Sequence, residues 1–455
     1  MKTIVKMSKQ HINLAKASLA LVLGMLFGLT TVARGLTFIS TTNNVGHGPQ
    51  AICSADINGD NWPDLICADN LANNLCLLTN NGAGPIHSNT VVPVGGSPVF
   101  VIAADINGDN HPDVVSVDNL SGTLTILTNN GSGILSSNAT LSAGSFPVFA
   151  AAADINGDGK VDLIAASSFY NALIIYTNNG SGVFGSNAWV SAGSKPYSVV
   201  ATDINGDGKR DLVAANYDVG TLTVLTNNGS GVFGSNATLV VGSNPTYVIA
   251  VDVNNDGKPD LVCANYGDGT LTVLTNNGSG TFGFSATLPV AGYPFSVAAA
   301  DFNNDGRMDL ASADLGVYPN PGNIMVWTNN GSGIFGSNTV VGVGSQPYSL
   351  TTADLNKDGW QDIACANFAD DTITVLIQVP PGTNTLPTLD IASTSSNSVQ
   401  ISWLLPLATG FVLQTNSNLL QSNWTLAGFP ITTNGLTGSV NVTSPASPLF
   451  FRLKK

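Results

Sequence analysis

The chain repeats one unit seven times, and this repeat restricts the fold more than any other feature. Each copy carries an acidic segment such as DINGDGKRDL at residues 203–212, and a proline stands seven residues before its first aspartate. Successive segments are 49 residues apart, except that the last step is 53 because the sixth copy has an insert around GVYPNPGN. A fixed period of this length predicts an array of identical supersecondary units.

Four short strands are predicted in each unit. In the fourth copy, PYSVVATDI leads into the acidic loop, DLVAAN is almost wholly apolar, GTLTVLTNNG alternates and ends in an Asn-Gly turn, and SGVFGSNATLVVGSNP holds the fourth strand. Four antiparallel strands in a unit of this length are typical of a β-propeller blade. The competing architecture is a solenoid, which needs distinct capping repeats, and the ends of this array look different from such caps.

The two ends of the array complement each other. The seventh unit stops after its third strand, TITVLIQVPPG, while residues 36–46, LTFISTTNNVG, match the fourth-strand part of a unit. The N-terminal strand is therefore expected to complete the seventh blade and close the ring, which removes the exposed edges of an open array. The fold class predicted is all-β, with a seven-bladed β-propeller over residues 36–380 followed by a small β-sandwich.

Residues 1–35 and 387–455 differ from the repeats. The first segment has basic residues before an apolar run, ASLALVLGMLFGLTTVA, which predicts a secretory signal peptide cleaved after Ala33 or Gly35; an N-terminal anchor is the alternative. Residues 381–386 form a linker, and residues 387–455 contain five or six short strand patterns that suggest a β-sandwich. The mature protein is expected to be secreted or to lie on the cell surface.

All 29 acidic residues are aspartates, and charged residues make up only 10% of the chain. Because aspartate favours turns and caps over helix interiors, a loop-rich chain with little helix is expected. The net charge is −14, and removal of residues 1–35, which hold five basic residues and no acid, leaves −19. Such a surface repels nucleic acid and anionic membranes unless cations intervene.

The five cysteines do not make a disulfide framework in a chain of this size. Cys67, Cys263 and Cys365 occupy one repeat position where the other copies have Ala or Ser, which predicts small buried strand residues. A bridge among Cys53, Cys67 and Cys76, which all lie in the first repeat, stays open.

The acidic segment predicts a calcium site. Side-chain oxygens at its positions 1, 3, 5 and 9, a backbone carbonyl at position 7 and water would supply the roughly six to eight hard oxygens that Ca²⁺ takes. Gly208 at position 6 allows the positive φ of a sharp loop, and Asn61 and Asn110, which replace this glycine in the first two copies, are the next most tolerant residues. The alternative is that Asp-rich turns only cap and bend the chain. It is disfavoured because 21 of the 29 acids lie in these loops, where they repel one another unless a cation intervenes.

Up to seven calcium ions are expected, one for each blade. The predicted side-chain ligands are Asp56, Asn58, Asp60, Asp64, Asp105, Asn107, Asp109, Asp113, Asp154, Asn156, Asp158, Asp162, Asp203, Asn205, Asp207, Asp211, Asp252, Asn254, Asp256, Asp260, Asp301, Asn303, Asp305, Asp309, Asp354, Asn356, Asp358 and Asp362. The predicted carbonyl ligands are those of Trp62, His111, Lys160, Lys209, Lys258, Arg307 and Trp360.

The repeat unit resembles the FG-GAP repeat, also called the VCBS repeat, of integrin α-subunit heads and of many exported bacterial proteins. DINGDGKRDL matches the D-x-[DN]-x-D-G-x-x-D loop of that family, and GSGVFG matches its Phe-Gly segment. The resemblance covers residues 36–380. It implies calcium loops between the first and second strands on one face of a seven-bladed propeller, with partners docking on the opposite face. The FFRL segment near the C-terminus is similar to the last strand of β-sandwich modules that end exported bacterial proteins.

Little in the sequence predicts catalysis. The four histidines lie in the predicted signal peptide or at unrelated repeat positions, and the chain has no Glu, no G-x-S-x-G motif and no phosphate-binding loop. No catalytic residue is therefore predicted, and the protein is interpreted as a non-enzyme. Because some calcium-bearing propellers are polysaccharide lyases, that activity stays open on analogy of fold alone.

Aromatic residues mark the loops opposite the acidic ones. The candidate ligand face consists of Tyr217, Tyr266 and Phe368 with the amides before them, Asn216, Asn265 and Asn367. A second set follows the prolines at two different spacings: Phe100, Phe149 and Tyr247, and, one position earlier, Tyr197, Phe295 and Tyr348. Since adjacent strand residues face opposite sides, these two groups are not expected to line one surface, and packing between blades is the favoured interpretation.

Two functions from different classes are consistent with this sequence. The first is a calcium-stabilised module for adhesion or for binding an extracellular glycan or protein. The second is a structural spacer in a surface protein. In either case a monomer without nucleic-acid partners is expected.

Overall fold

The computed structural model describes residues 5–7, 36–82, 86–316, 321–380, 390–395, 398–404, 412–416, 425–426, 432–434, 437–443 and 449–454. Every regular element in these ranges is a β-strand. The chain divides into two compact units, one of which comprises Gly35–Gly82 and Ile86–Gln378. That unit consists of seven four-stranded antiparallel sheets, which are the blades of a β-propeller.

The strands of each blade are adjacent in the order of the repeat. The first strands are Pro49–Ala55, Pro98–Ala104, Pro147–Ala153, Pro196–Thr202, Pro245–Val251, Tyr293–Ala300 and Pro347–Ala353. The second strands are Asp64–Asp69, Asp113–Asp118, Asp162–Ser167, Asp211–Asn216, Asp260–Asn265, Asp309–Leu315 and Asp362–Asn367. The third strands are Asn74–Thr79, Thr123–Asn129, Ala172–Asn178, Thr221–Asn227, Thr270–Asn276, Asn323–Asn329 and Thr372–Gln378.

The fourth strands complete the blades and close the ring. They are His87–Pro93, Leu135–Ser142, Phe184–Ser191, Phe233–Val240, Phe282–Pro289, Phe335–Gly342 and, for the seventh blade, Phe38–Asn44. This last strand pairs antiparallel with Thr372–Gln378, so the predicted closure by the N-terminal strand is confirmed. First strands of neighbouring blades contact one another around the whole ring, including those of the seventh and first blades.

The hydrophobic core lies between neighbouring blades. The second strand, such as Asp211–Asn216, is buried along its whole length because it has strands on both edges and a blade against each side. The fourth strand, such as Phe233–Val240, has mostly exposed side chains and forms the outer rim. Each core cluster joins two blades; Ile164 and Leu173 of the third, for example, share a cluster with Leu212 of the fourth. A continuous apolar run therefore marks the strand that lies inside the propeller, and a mostly exposed pattern marks the strand at the rim.

All five cysteines are free thiols in the structure. Cys67, Cys263 and Cys365 are fully buried, which confirms the prediction for their shared repeat position. Cys67 and Cys76 lie opposite each other on paired strands of the first blade without forming a bridge.

The second compact unit holds the strands that follow the repeats, in two four-stranded sheets. One sheet contains Asp390–Ser395, Ser398–Leu404, Thr432–Asn434 and Thr437–Thr443. The other contains Val5–Met7, Val412–Asn416, Thr425–Leu426 and Leu449–Lys454. A sandwich of the two sheets is not evident in the described ranges. Apart from Val5–Met7, the predicted signal peptide lies outside the described residues, as does the predicted linker at 381–386.

Among the described residues, none belongs to a helix that is long and apolar enough to cross a membrane.

Candidate functional site

The propeller has two chemically different faces. The acidic segments connect the ends of the first strands to the second strands, so all seven lie on one face. The prolines that begin the first strands and the turns between second and third strands lie on the opposite face. We call these the acidic face and the aromatic face.

The acidic loops turn sharply at their fourth and sixth positions. In the fourth blade, Gly206 and Gly208 have φ values of 76° and 81°. Asn61 and Asn110, which replace the position-six glycine in the first two blades, have φ values of 66° and 65°. The prediction that position six needs a left-handed residue is therefore confirmed.

Side chains of the acidic loop accept hydrogen bonds from its own backbone. Asp203 Oδ1 accepts from the backbone N–H groups of Gly206 at 2.8 Å and Asp207 at 3.2 Å, and its Oδ2 accepts from Gly208 at 2.7 Å. Asn205 Oδ1 accepts from the Asp207 N–H at 2.9 Å, and Asp207 Oδ1 accepts from Lys209 at 3.0 Å. These side-chain oxygens thus pair with the backbone N–H groups of the sharp turn.

The aspartate at position nine has a different environment from the others. Asp211 is fully buried, its Oδ2 accepts from the Ile204 N–H at 3.2 Å, and its Oδ1 accepts from the Asn227 N–H at 2.7 Å. Burial raises the pKa of this carboxyl, and the charges of Asp207 and Asp203 raise it further. The same cause raises the pKa of Asp64, Asp113, Asp162 and Asp260, that of Asp309 to about 6 and that of Asp362 to about 7.

An amide at the end of each third strand ties its blade to the acidic loop of the preceding blade. Asn227 Nδ2 donates to the Ile155 carbonyl in the loop of the third blade at 2.6 Å and to the Arg210 carbonyl at 2.9 Å, and its Oδ1 accepts from the Gly229 N–H at 2.9 Å. Equivalent bonds to the preceding blade are donated by Asn80, Asn129, Asn178, Asn276, Asn329 and Gln378. The seven bridges form a closed circle on the acidic face.

The donor set of the acidic loops suits a hard cation, while the side-chain arrangement does not by itself define a metal site. Carboxylate, amide and backbone oxygens are the ligands that Ca²⁺ takes. A carboxylate oxygen has two acceptor positions, so one that accepts a single N–H hydrogen bond can also bind a cation. Within the described ranges, however, no group of three or more His, Cys, Asp or Glu side chains is placed to hold a metal ion. An aspartate-rich loop recurs in each blade, and its occupation by calcium stays a prediction.

Several position-seven residues, predicted to offer carbonyl ligands, also use their side chains. In three blades the basic side chain forms an exposed ion pair with the position-five carboxylate, at 3.3 Å for Lys209–Asp207 and 3.5 Å for Lys258–Asp256. Arg307 and Asp305 form the third pair at 3.5 Å. Exposed pairs of this kind contribute ~0–1 kcal/mol, so a divalent cation could displace them at little cost.

The mouth of the central channel on the aromatic face is a cavity of about 280 Å³. Its lining residues are Gln50, Asn70, Ser97, Val99, Phe100, Asn119, Val148, Phe149, Tyr197, Thr246, Tyr247, Phe295, Tyr348 and Ser349. The expectation that the two post-proline aromatic groups cannot line one surface was therefore wrong. A β-bulge follows the proline, as between Pro196 and Ser198, and it interrupts the alternation of side chains on which that expectation depended.

The rings of Tyr217, Tyr266 and Phe368, from the predicted ligand face, pack against rings that line the cavity. Each ring lies against one at the mouth, with ring centroids 5.2 Å apart for Tyr217–Tyr197 and Phe368–Tyr348 and 6.1 Å for Tyr266–Phe295. The amides before these rings point elsewhere. Asn216, Asn265 and Asn367 are fully buried and donate to threonines of their own blades, Thr221, Thr223, Thr270, Thr272, Thr372 and Thr374.

A second depression, of about 580 Å³, lies beside the cavity between the third and fourth blades. It shares Val148 and Tyr197 with the cavity and is also lined by Phe146, Phe169 and Lys195. Phe146 was not singled out from the sequence, although it stands where most other copies have a small or polar residue. This departure from the repeat is the feature of the sequence that could have indicated the depression.

Comparison with solved structures shows the same kind of fold in two proteins of low sequence identity, and a third structure is similar at a lower score. BBS1N, in a complex with ARL6DN soaked with lead, has a TM-score of 0.56 and 12% identity, over 77% of this chain and 99% of that chain. A protein from Lactobacillus plantarum has a TM-score of 0.50 and 15% identity, over 66% and 86%. An Agrocybe aegerita lectin that recognises non-reducing terminal N-acetylglucosamine has a TM-score of 0.48 and 20% identity, over 75% and 86%. No curated protein matched the chain.

The repeat family is established by direct matches along the sequence. The FG-GAP-like repeat matches residues 56–116, 105–165, 154–214, 203–263, 252–312 and 313–365. Each of the first six acidic loops begins one of these stretches or lies within it, and the last stretch contains the seventh loop. Because the matches together extend from residue 56 to residue 365, more than half of the chain, this protein belongs to the FG-GAP-like repeat family.

Proposed function

We propose that this protein is an exported, calcium-binding, non-catalytic module that binds an extracellular glycan or protein at the channel mouth on its aromatic face. The observation that carries this proposal is the cavity of about 280 Å³ in which aromatic rings from six blades converge with amide and hydroxyl groups. Binding sites are concave and combine aromatic surfaces with polar groups that orient the ligand, and this mouth combines aromatic rings with amide and hydroxyl groups.

The rings at the mouth form two clusters, each of which spans several blades. Phe100 and Phe149 stack with centroids 4.0 Å apart, and Tyr247 meets Phe149 edge-on at 5.4 Å. On the other side, Phe295 meets Tyr348 edge-on at 4.5 Å and Tyr197 at 5.9 Å. Such packing fixes the rings, so a ligand that stacks on them needs little ordering of the site.

Calcium at the acidic loops would act mainly on the scaffold in this proposal. Seven ions add 14 positive charges to the −19 of the chain without residues 1–35, which leaves −5. The side chains at positions one, three and five would supply oxygens, and the bound ion would neutralise carboxylates that otherwise repel one another. Export follows from the predicted signal peptide, and the sheets after the repeats are proposed to form the predicted β-sandwich.

A glycan array probed in calcium tests this function. The intact protein should bind at least one class of glycan, and Tyr217→Ala with Tyr266→Ala should abolish that binding, because both rings support the mouth. Val219→Ala is the matched control, since Val219 is exposed in the same turn as Tyr217. Binding that survives the double substitution would contradict the site. An intact protein that binds neither glycans nor extracellular proteins would instead favour the structural spacer.

A further inference from the structure

The third blade departs from its own repeat at surface positions near the aromatic face. It has an aromatic residue at four of them: Phe146, Phe169, Tyr170 and Trp189. Phe169 stands where the other copies have Leu71, Leu120, Asp218, Gly267 or Ala369, and Tyr170 where they have Ala72, Ser121, Val219, Asp268 or Asp370. Trp189 pairs across the blade where other blades place Thr42, Val91, Thr140, Thr238, Thr287 or Val340.

These four rings form a line on the protein surface. Ring centroids are 6.3 Å apart for Phe146–Phe169, 5.3 Å for Phe169–Tyr170 and 5.3 Å for Tyr170–Trp189. All four side chains are exposed, with relative accessibilities of 49%, 64%, 49% and 52% in the order of the chain. None of these four rings lines the cavity at the channel mouth, so this set, which we call the blade-three strip, is a separate feature. Exposed apolar patches of this kind commonly mark binding surfaces.

The backbone of the third blade accommodates the strip at a cost. Phe146 has φ of 54°, the left-handed conformation that Gly48 and Asn244 also adopt before their prolines, so a bulky side chain here occupies an unfavourable position. Gly144 has φ of 73°, and a Cβ atom there would lie 3.0 Å from the Tyr170 ring. Strained residues of this kind cluster at functional sites. Packing in the core does not explain them here, because the rings are exposed.

The strip leads into the depression between the third and fourth blades. Phe146 and Phe169 line that depression together with Ser168, Asn171 and Ser194. Its one cation, among the lining residues, is Lys195, whose Nζ lies 3.8 Å from Asp218 and 4.7 Å from the Tyr217 ring centroid. The lining therefore offers ring faces, hydroxyls and an amide with no net charge.

We propose that the blade-three strip binds a neutral polysaccharide chain, whose sugar rings stack on exposed ring faces of the strip and whose hydroxyls meet the polar groups of the depression. A sugar ring presents C–H groups on its faces and hydroxyls at its edge, which suits the electron-rich face of an aromatic ring beside amides. A line one ring wide fits an extended chain better than a globular partner. The lining has no net charge to pair with a charged ligand, and the net charge of −14 repels acidic polymers.

This inference rests on the proposed binding function but names a second place and a ligand class. Affinity electrophoresis of the full chain in gels containing hydroxyethylcellulose, laminarin or polygalacturonate tests it. We expect retardation by at least one of the two neutral polymers and none by polygalacturonate. Phe169→Ala with Trp189→Ala should weaken the interaction about tenfold or more, since two stacking contacts are lost. Both side chains are exposed, so the melting temperature should stay that of the wild type.

Matched controls come from the repeat itself. Leu120→Ala and Val340→Ala alter the equivalent exposed positions of the second and sixth blades and should leave retardation unchanged. The proposal is overturned if neither neutral polymer retards the protein, or if the strip variant is retarded as strongly as wild type. If a variant with Tyr266→Ala and Phe368→Ala, whose rings support the mouth and do not line the depression, alone loses retardation, the proposed function stands and the strip proposal fails. Sedimentation that shows a wild-type dimer and a monomeric strip variant would assign the strip to self-association and also overturn the proposal.

Discussion

Asn227→Ala should destabilise the propeller more than Asn276→Ala, although the two asparagines occupy the same position in adjacent blades. Asn227 Nδ2 donates to the buried Ile155 carbonyl at 2.6 Å, and no second donor to that carbonyl is found in the described part of the chain. Asn276 donates to the Ile204 carbonyl at 2.8 Å, and this carbonyl also accepts from the Gly280 N–H at 3.0 Å. Removal of the amide therefore leaves the Ile155 carbonyl without a hydrogen-bond donor among the described residues, whereas the Ile204 carbonyl keeps the Gly280 N–H.

The difference in the free energy of unfolding between the two variants can be estimated from these contacts. Both variants lose a bond to the carbonyl at the end of the acidic loop and one from the glycine of the following turn, at 2.9 Å in both blades. An ordinary hydrogen bond contributes about 1 kcal/mol net, whereas a stranded buried polar group costs about 1–3 kcal/mol. We therefore expect Asn276→Ala to lower the free energy of unfolding by about 1–2 kcal/mol and Asn227→Ala by about 2–4 kcal/mol.

Urea unfolding followed by tryptophan fluorescence, at one fixed calcium concentration, measures both losses. The slope of the free energy against urea should match in the two variants, so that the midpoints are comparable. Equal losses, or a larger loss for Asn276→Ala, would refute the argument that the stranded carbonyl decides the cost.

Three further predictions concern closure, calcium and a buried carboxyl. Truncation before Gly46 removes the strand Phe38–Asn44 and leaves the seventh blade with an open edge, so it should lower the melting temperature far more than removal of residues 387–455; equal melting temperatures would contradict this. EDTA should lower the melting temperature sharply and magnesium should restore it poorly, since each site that binds only the native state adds ~2.7 kcal/mol at a hundredfold excess over its dissociation constant. Fewer than three calcium ions by elemental analysis, with a melting curve indifferent to EDTA, would show this reasoning to be wrong. Burial raises the pKa of Asp314 to about 7, whereas the unfolded chain loses this proton above about pH 4. Between these pH values the folded protein binds one proton more, so the free energy of unfolding falls as pH rises from about 4 to about 7. Asp314→Asn, which places there the amide found at Asn216, should therefore be more stable than wild type at pH 8 but not at pH 4.5, and a pH-independent difference in urea midpoints would exclude this cause.

The strand order and the closure of the ring could be predicted because the repeat supplies the same evidence seven times. Hydrophobic periodicity and turn residues each give a weak signal in one copy, and agreement among copies removes the alternatives. The pairing of Phe38–Asn44 with Thr372–Gln378 was predictable for a further reason: one unit lacked a strand that the other end of the chain could provide.

The arrangement of the sites could not be predicted in the same way. The bulge after each proline shifts the strand by one residue, and no residue type in the unit marks it, so the two aromatic groups were assigned to different surfaces. The bridge from Asn227 to Ile155 joins residues 72 positions apart and depends on how blades pack. Burial of Asn216 was equally hidden, because a polar residue at the end of a strand is usually exposed and this one is enclosed beside Thr221 and Thr223.

The repeat separates residues that maintain the scaffold from residues that give one blade its own chemistry. A side chain that makes the same contact in every blade, as the bridging amides do, is explained by the ring; even the seventh blade, which has Gln378 in place of Asn, donates to the preceding blade through it. A residue that departs from the repeat without serving the ring needs another cause. Phe169 and Trp189 each meet Tyr170 edge-on at the surface and stay exposed, so closing the propeller does not explain them. Within the described residues the propeller gives these rings no buried packing, and we propose that a polysaccharide chain supplies their contact.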